Sequence, residues 1–506
     1  MIWTATQDTL PPLPPVRRLD PAPETLAETV ELTAAHLGAR AHTVADFERS
    51  LDGLVRHAHH DRHPLTRALS DTLGHRYTEE IEAQRLGGVD VVAATLLWQV
   101  PGYSLKPEHV RRGRGHEDCA QGGLELVLTA RLREIAYRLR SKEPLPFLLS
   151  TPTWDTGTLE AAELVERLTE YRRLGVRPGP ADFGQALLRV RRDNAAGAGG
   201  AAAATAAARL GTAEGARLAA WLGPDGEPAP VLRRVVEPDP SAHTAWQRTG
   251  AATAQITCPS GERDALQREF PEPFHWLGRP HEGFTQCYHW HGGHPVRASV
   301  LPEDRETQAA WLLPQVTLAA TAGDHGSSWM LPHLARLGGP AGPALHAAVA
   351  AGLGGRSVES RSPAVEALLV LAARGDLDAP LLGRELAAMT ALGTVKPNRL
   401  ADAARSAAAA GAHATLWTVL AEVLPALLPS VRGAGEVLAV AASCAEHCAA
   451  TGPVPDAVAA AAARRGSSTV ISGARRLSSA LTGRRAGLQG VSSKSRPGGG
   501  VPRRHP

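Results

Sequence analysis

The sequence predicts an all-α chain, a HEAT/armadillo-like α-solenoid of stacked helical hairpins with an irregular middle region. Three observations carry that expectation. The apolar content of 43% rests on Ala, Leu and Val, with aromatics at only 4%, and Ala and Leu lead the helix propensities. From 340 to 482, apolar stripes at helical spacing follow one another, each closed by Gly, Asp or Pro. Taken in pairs, these helices repeat at about 35–40 residues, near the HEAT and armadillo period, and none could bury its face alone.

Residues 1–24, with Pro11-Pro12-Leu13-Pro14-Pro15, read as an extended lead-in. An N-terminal helical region is expected over 25–223. Its first stripe is Leu26, Val30, Leu32 and Leu37. The second is Val44, Phe47, Leu51, Leu54 and Val55, ended by Pro64, after which Leu65, Leu69 and Leu73 begin a third. The dense apolar run 86–98 fits a buried helix or a strand equally well, and a Gly- and Arg-rich loop follows at 111–115. Leu124, Val127, Leu132, Ile135 and Leu139 form one face of the next helix. Thr158 is expected to cap a helix that Gly175 stops, and Asp182 to cap the one after Pro180. The Ala/Gly run 195–208 has no stripe to bury and reads as a flexible insertion running into a helix.

Periodicity fails over 224–309, where Pro, Gly, His and Trp dominate. The repeat array is expected over 310–482. In it Ser362 caps a helix ended by Gly375, and Asp378 starts one that ends near Gly393. Leu400, Ala403, Ala404 and Ala407 line another, and Leu416, Trp417, Leu420, Leu424 and Leu427 give the strongest stripe. A helix through Val437, Ala441, Cys444 and Cys448 follows, and Val470, Ile471, Ala474, Leu477 and Leu481 close the series. The tail 483–506 reads as disordered and basic.

At this length the chain can form several domains or one extended array. Its formal charge of +3 is misleading, because the tail holds six cations and no acid, which leaves the rest net acidic. That is not the footprint of a general nucleic-acid binder. Only four lysines (Lys106, Lys142, Lys396, Lys494) stand against many arginines, a bias of genome composition more than of phosphate binding. Five cysteines, an odd and sparse set, argue against a disulfide framework. No signal segment opens the chain and no apolar window spans a membrane, so a cytoplasmic location is expected.

The segments LLSTPTWDTGTLEAAELVERL, RPGPADFGQALLRV, PAGPALHAAVAAGLGGR and ALLVLAARGDLDAPLLGREL resemble an uncharacterised family of actinobacterial HEAT-like proteins of unknown function. So do ALGTVKPNRLADAARSAAAAGAHATLWTVLAEVLPALL and AARRGSSTVISGARRLSSALTG. The likeness covers most of the chain and is similar to the C-terminal half of longer members, so Met1 need not be the native start. The resemblance implies the fold and a bacterial origin, and it brings no catalytic residues.

The sharpest chemical candidate is a metal set of Cys287, His289, His291 and His294, with His275 and His281 upstream and Cys258 further back. In an extended segment Cys287, His289 and His291 share one face, and Zn²⁺ would be the ion for thiolate and imidazole ligands. The spacing matches neither CxxC nor HxxxH, and His and Trp in loops commonly pack without metal; no cofactor is expected. His59 and His63 lie four apart in the cluster of His57, His59, His60, Asp61 and His63, which would suit one helix face, but cations favoured at a helix C-terminus are much the simpler account than a ligand set. Cys444 and Cys448 fall on a packed stripe and read as core. Asp182-Phe183-Gly184 copies a kinase tripeptide without any companion motif, and 323–327 reads as a turn before a Ser-capped helix. No phosphate-binding, metalloprotease or serine-hydrolase motif occurs.

These readings point away from an enzyme and towards a scaffold that binds another protein. Two alternatives differ in class: a nucleic-acid-associated protein using the basic tail, and a metal-binding protein or enzyme centred on 275–294.

Overall fold

The computed structural model of the chain describes residues 3–39, 42–106, 122–141, 144–191, 198–223, 231–235, 253–257, 270–278, 295–321, 328–428 and 432–483. The described chain is helical apart from one antiparallel ribbon, in which Val231–Val235 pairs with Thr253–Thr257. Val opens and closes the first segment, and Thr and Ile occur in the second, residue types that favour strands. The ribbon falls inside the stretch where helical periodicity fails.

In the N-terminal part α1 (Leu26–Gly38), α2 (Val44–His60) and α3 (Arg62–Leu73) pack together, and α4 (Asp90–Leu96) packs on α5 (Gly122–Arg140). Within the run 86–98, Asp90–Leu96 is helix and not strand. α6 (Ala161–Leu174) and α7 (Pro180–Arg189) follow, then α8 (Ala198–Ala208) and α9 (Ala213–Trp221).

The α2 stripe is buried as its spacing requires: Phe47, Leu51, Leu54 and Val55 are all at most 2% exposed. α1 differs. Its buried face is Thr29, Val30, Thr33 and His36, and the two threonine hydroxyls donate back to the carbonyls of Thr25 and Thr29, which makes them acceptable inside. The second helix ends at Asp61, not at Pro64. Asp61 closes α2 and caps α3, its carboxylate accepting the His63 amide at 3.0 Å, so Pro64 sits in the first turn of α3.

After α10 (Pro295–Ala298) and α11 (Arg305–Thr321) come α12 (Leu331–Arg336), α13 (Pro343–Leu353), α14 (Val358–Arg374), α15 (Ala379–Ala391) and α16 (Pro397–Ala409). α17 (His413–Leu427), α18 (Ala434–His447), α19 (Asp456–Ala463) and α20 (Thr469–Leu481) complete the series. Each packs on its second neighbour. α11, α13, α15 and α17 form one row, and α12, α14, α16, α18 and α20 the other, with α13 on α14 and α17 on α18 joining them. Gly175 and Gly375 stop α6 and α14 in the left-handed conformation as expected. Asp378 caps α15, accepting the Leu381 amide at 2.8 Å.

Three caps differ from the sequence reading. Ser357, not Ser362, caps α14, and its hydroxyl accepts the Ser360 amide at 3.1 Å. Thr158 does not cap α6, which starts behind Glu160; its hydroxyl instead donates to buried Glu303 at 2.7 Å. Asp182 does not cap α7 either. Its side chain turns into the core, and Glu134 of α5 accepts the amides of Ala181 and Asp182 at 2.8 and 2.9 Å.

That substitution is a recurring device. α13 also starts Gly-Pro-Ala and has no capping side chain of its own. Glu306 of α11 accepts the amides of Gly342, Ala344 and Leu345 at 2.9, 2.6 and 3.1 Å. Pro fills a position whose amide would be orphaned anyway, and Gly leaves room for the carboxylate. A Cβ on Gly179 would lie 2.1 Å from Glu134 Oε1, and one on Gly342 would lie 2.7 Å from the Glu306 carboxylate.

The lead-in is extended but not loose. It runs back along the molecule, from the last helices to the first. Thr4 bridges Thr451, the Thr6 amide donates to the Cys448 carbonyl at 2.7 Å, and Thr9 meets Gly411 at 3.3 Å. Trp3 packs edge-on to Trp417 with centroids 5.2 Å apart. Further along, Leu19 donates to Thr153 at 2.8 Å, and Arg49 donates to the Pro21 carbonyl at 2.9 Å.

Candidate functional site

A cleft lined by many titratable groups lies where this strap crosses the N-terminal helices. It encloses about 660 Å³. Asp52, Arg56 and His60 share a face of α2 by their spacing of four, and Glu163 and Arg167 do the same on α6. The strap residues 18–24 and the turn 151–153 close it.

Five of the charged groups in this cleft are engaged: Arg18, Asp52, Arg56, Glu163 and Arg167. Arg56 Nε meets Asp52 at 2.8 Å, and the other Asp52 oxygen accepts the Leu148 amide at 2.8 Å. The Arg56 guanidinium also lies 5.0 Å from the Phe147 centroid. Arg167 pairs with Glu163 at 3.3 Å and donates to the carbonyls of Leu149, at 2.8 Å, and Thr151. Arg18 of the strap takes the remaining Glu163 oxygen. Burial pulls the Arg167 guanidinium below its ordinary value, against the pull of Asp52 and Glu163. These bonds hold the strap in place, and Asp20, Glu24, His57 and His60 complete the titratable lining.

Behind it lies a fully buried charge cluster. Arg131 of α5 forms a two-pronged pair with Glu48 of α2, both contacts at 2.8 Å, and reaches Asp182 of α7 at 3.1 Å. Arg189 meets Glu48 at 2.7 Å and donates to the carbonyls of Ser150 and Ser299 at 2.7 and 2.9 Å. Asp182 accepts the Leu149 amide at 2.6 Å and the Ser150 hydroxyl at 2.5 Å. All four charged side chains are 0% exposed. Burial alone would raise the Glu48 carboxyl, but Arg131 and then Arg189 outweigh it and hold it at about 2. With every oxygen and guanidinium engaged, the cluster ties α2, α5, α7 and the segment after α10 into one body.

The proposed ligands Cys287, His289, His291 and His294 lie outside the described residues, as do His281, Cys258, the loop 111–115, the turn 323–327 and the basic tail beyond 483. His275 is described, and its Nε2 is 2.8 Å from the Phe270 carbonyl. Among the described residues no group of three or more His, Cys, Asp or Glu is arranged to hold a metal. His59 and His63 do not share a helix face, since α2 and α3 meet between them. Cys444 and Cys448 are buried and free in the core, as their stripe predicts. Burial, then Cys448, pushes the Cys444 thiol up to about 12. No described helix is long and apolar enough to cross a membrane.

Fold and site together define a predominantly helical protein with a buried, mutually paired charge cluster. A family model described as Domain of unknown function (DUF7824) matches residues 40–270. That range contains Glu48, Arg131, Asp182, Arg189 and the helical walls of the cleft, and it excludes the strap and the helices after α10. No curated protein and no solved structure matches the chain.

Proposed function

We propose that the chain is a cytoplasmic scaffold, a HEAT-like α-solenoid that binds another protein along the exposed face of its helix stack. One observation carries this reading: from Arg305 to Leu481 each helix packs on its second neighbour in two rows. Such stacking makes a long surface to which successive repeats contribute, the geometry of a partner platform. Because a fold does not by itself determine a function, the test must locate the partner. The intact chain, cross-linked in its native cell and analysed by mass spectrometry, should give a stoichiometric protein partner joined to residues 305–481. Cross-links confined to other parts of the chain, or no stoichiometric protein partner, would refute the reading.

A further inference from the structure

An exposed tryptophan stands between two arginines at the corner where α3, α4 and α5 meet. Trp98 is 57% exposed and follows the end of α4 with φ at +63°. A helix commonly leaves through that left-handed conformation, but with Gly, because a bulky side chain there is disfavoured. The turn is nonetheless well made, since the Trp98 amide reaches Thr95 at 3.1 Å and the Gln99 amide reaches Ala94 at 2.9 Å. A bulky residue held in strained backbone with its side chain largely in solvent is poorly explained by packing, and such outliers cluster at binding sites.

Two guanidinium groups lie on this indole, Arg62 at 4.8 Å from the centroid and Arg140 at 4.3 Å. Neither has a carboxylate partner among the described residues. Asp61, next to Arg62, is turned to the His63 amide. Arg62 is anchored by donating to the Leu139 carbonyl at the end of α5. Its Nε and Nη2, and Nη1 of Arg140, have no hydrogen-bond partner and are shielded from solvent. Burial, and then Arg140, depresses the Arg62 guanidinium. Buried Arg131, by contrast, is matched by Glu48. Here two positive charges share one aromatic ring without an anion among the described residues.

We infer that Arg62, Trp98 and Arg140 form a binding site for a phosphate monoester. Two guanidiniums without a carboxylate partner among the described residues match a dianion better than a carboxylate does, and phosphate offers three acceptor oxygens to a guanidinium edge. A nucleic-acid backbone fits less well, because it needs a row of cations and the chain before its tail is net acidic. The indole fixes the guanidinium planes and screens the site from water.

The test is calorimetric titration of the full chain, in phosphate-free buffer, with glycerol phosphate and separately with a phosphoserine peptide. Wild type should bind at one site, and the tighter of the two probes identifies whether a small molecule or a protein supplies the group. Arg140→Gln should weaken that binding at least about tenfold, while Arg384→Gln, an exposed change on α15, should leave it unaltered. Trp98→Gly distinguishes binding from packing: it relieves the left-handed strain, so thermal stability should hold or rise while affinity falls. The inference is overturned if neither monoester binds saturably, if Arg140→Gln binds as wild type does, or if only an oligonucleotide binds.

Discussion

Asp8 caps a helix that begins 405 positions later in the chain. Its two carboxylate oxygens accept the amides of Ala414 at 2.5 Å and Thr415 at 3.0 Å, at the start of a helix whose own N-cap is Ala412, which has no side chain to offer. The strap is thus part of the fold. Asp8→Ala should destabilise the chain by about 1 kcal/mol, the usual loss for a cap, measured by urea denaturation. It should also speed amide exchange at Thr4 and Thr6, whose partners lie in the same end of the array. Unchanged exchange there would mean that Asp8 does not hold the strap.

The borrowed caps at α7 and α13 make a second prediction. Glu306→Ala removes the acceptor for three amides and should cost about 1–2 kcal/mol. Glu306→Gln keeps one acceptor oxygen and should cost less. Gly342→Ala should approach the Glu306→Ala value, because its Cβ displaces the carboxylate it would otherwise contact at 2.7 Å. If Gly342→Ala and Glu306→Ala together cost the sum of the two, the residues act independently and the account of the Gly-Pro-Ala start is wrong.

These contacts mark where the sequence stops being readable. The stripes of α2, α16, α17, α18 and α20 are legible because burial of one helix face imposes a period on the residues themselves. α19 was missed because Asp456–Ala463 is nearly all Ala and has no contrast between faces. Ser362-Pro363 imitated a helix start one turn inside α14, while the true cap, Ser357, lacked a following Pro. The strap, the Glu134 and Glu306 caps and the Arg62–Trp98–Arg140 stack depend on partners far along the chain, and such contacts leave no local pattern. Asp182 was misread for the same reason, since its partner Arg131 lies 51 positions away.

The buried cluster predicts strong asymmetry between breaking a pair and replacing it. Arg131→Met leaves Glu48 and Asp182 short of a cation in a dry interior and should destabilise by about 3–5 kcal/mol. Combining it with Glu48→Leu and Asp182→Leu also leaves Arg189 without its acid, so stability should recover only when Arg189 is made apolar too. Chemical denaturation of the series decides the matter. A single Arg131→Met that costs no more than a surface change would show that water reaches the cluster.

Histidines held neutral by burial, His36 and His346 among them, shape the acid limb of the stability curve. Burial, then the neighbouring His42, lowers His36 to about 4, against a raising pull from Asp46 and Asp90, and its Nδ1 has no partner. Burial likewise lowers His346, whose Nδ1 lies 2.8 Å from the Gly342 carbonyl while its Nε2 accepts the Asp378 amide at 3.0 Å, which fixes it as the neutral tautomer. Both are neutral in the folded chain. At neutral pH the unfolded histidines are neutral too, and nothing is lost. Below about 6.5 the unfolded chain takes up protons that the folded one refuses, so stability falls as pH drops towards about 4, by at most about 1.4 kcal/mol per pH unit per histidine. Glu134, raised by burial to about 7, works in the opposite sense, since the folded chain holds a proton that the unfolded one releases and stability rises as pH falls from about 7 to 4.5. Removing one group at a time separates them. In urea titrations at pH 7 and pH 5, His36→Gln should shrink the loss on acidification and Glu134→Gln should enlarge it. A His36→Gln protein that loses as much stability as wild type over that interval would show that the folded ring is protonated.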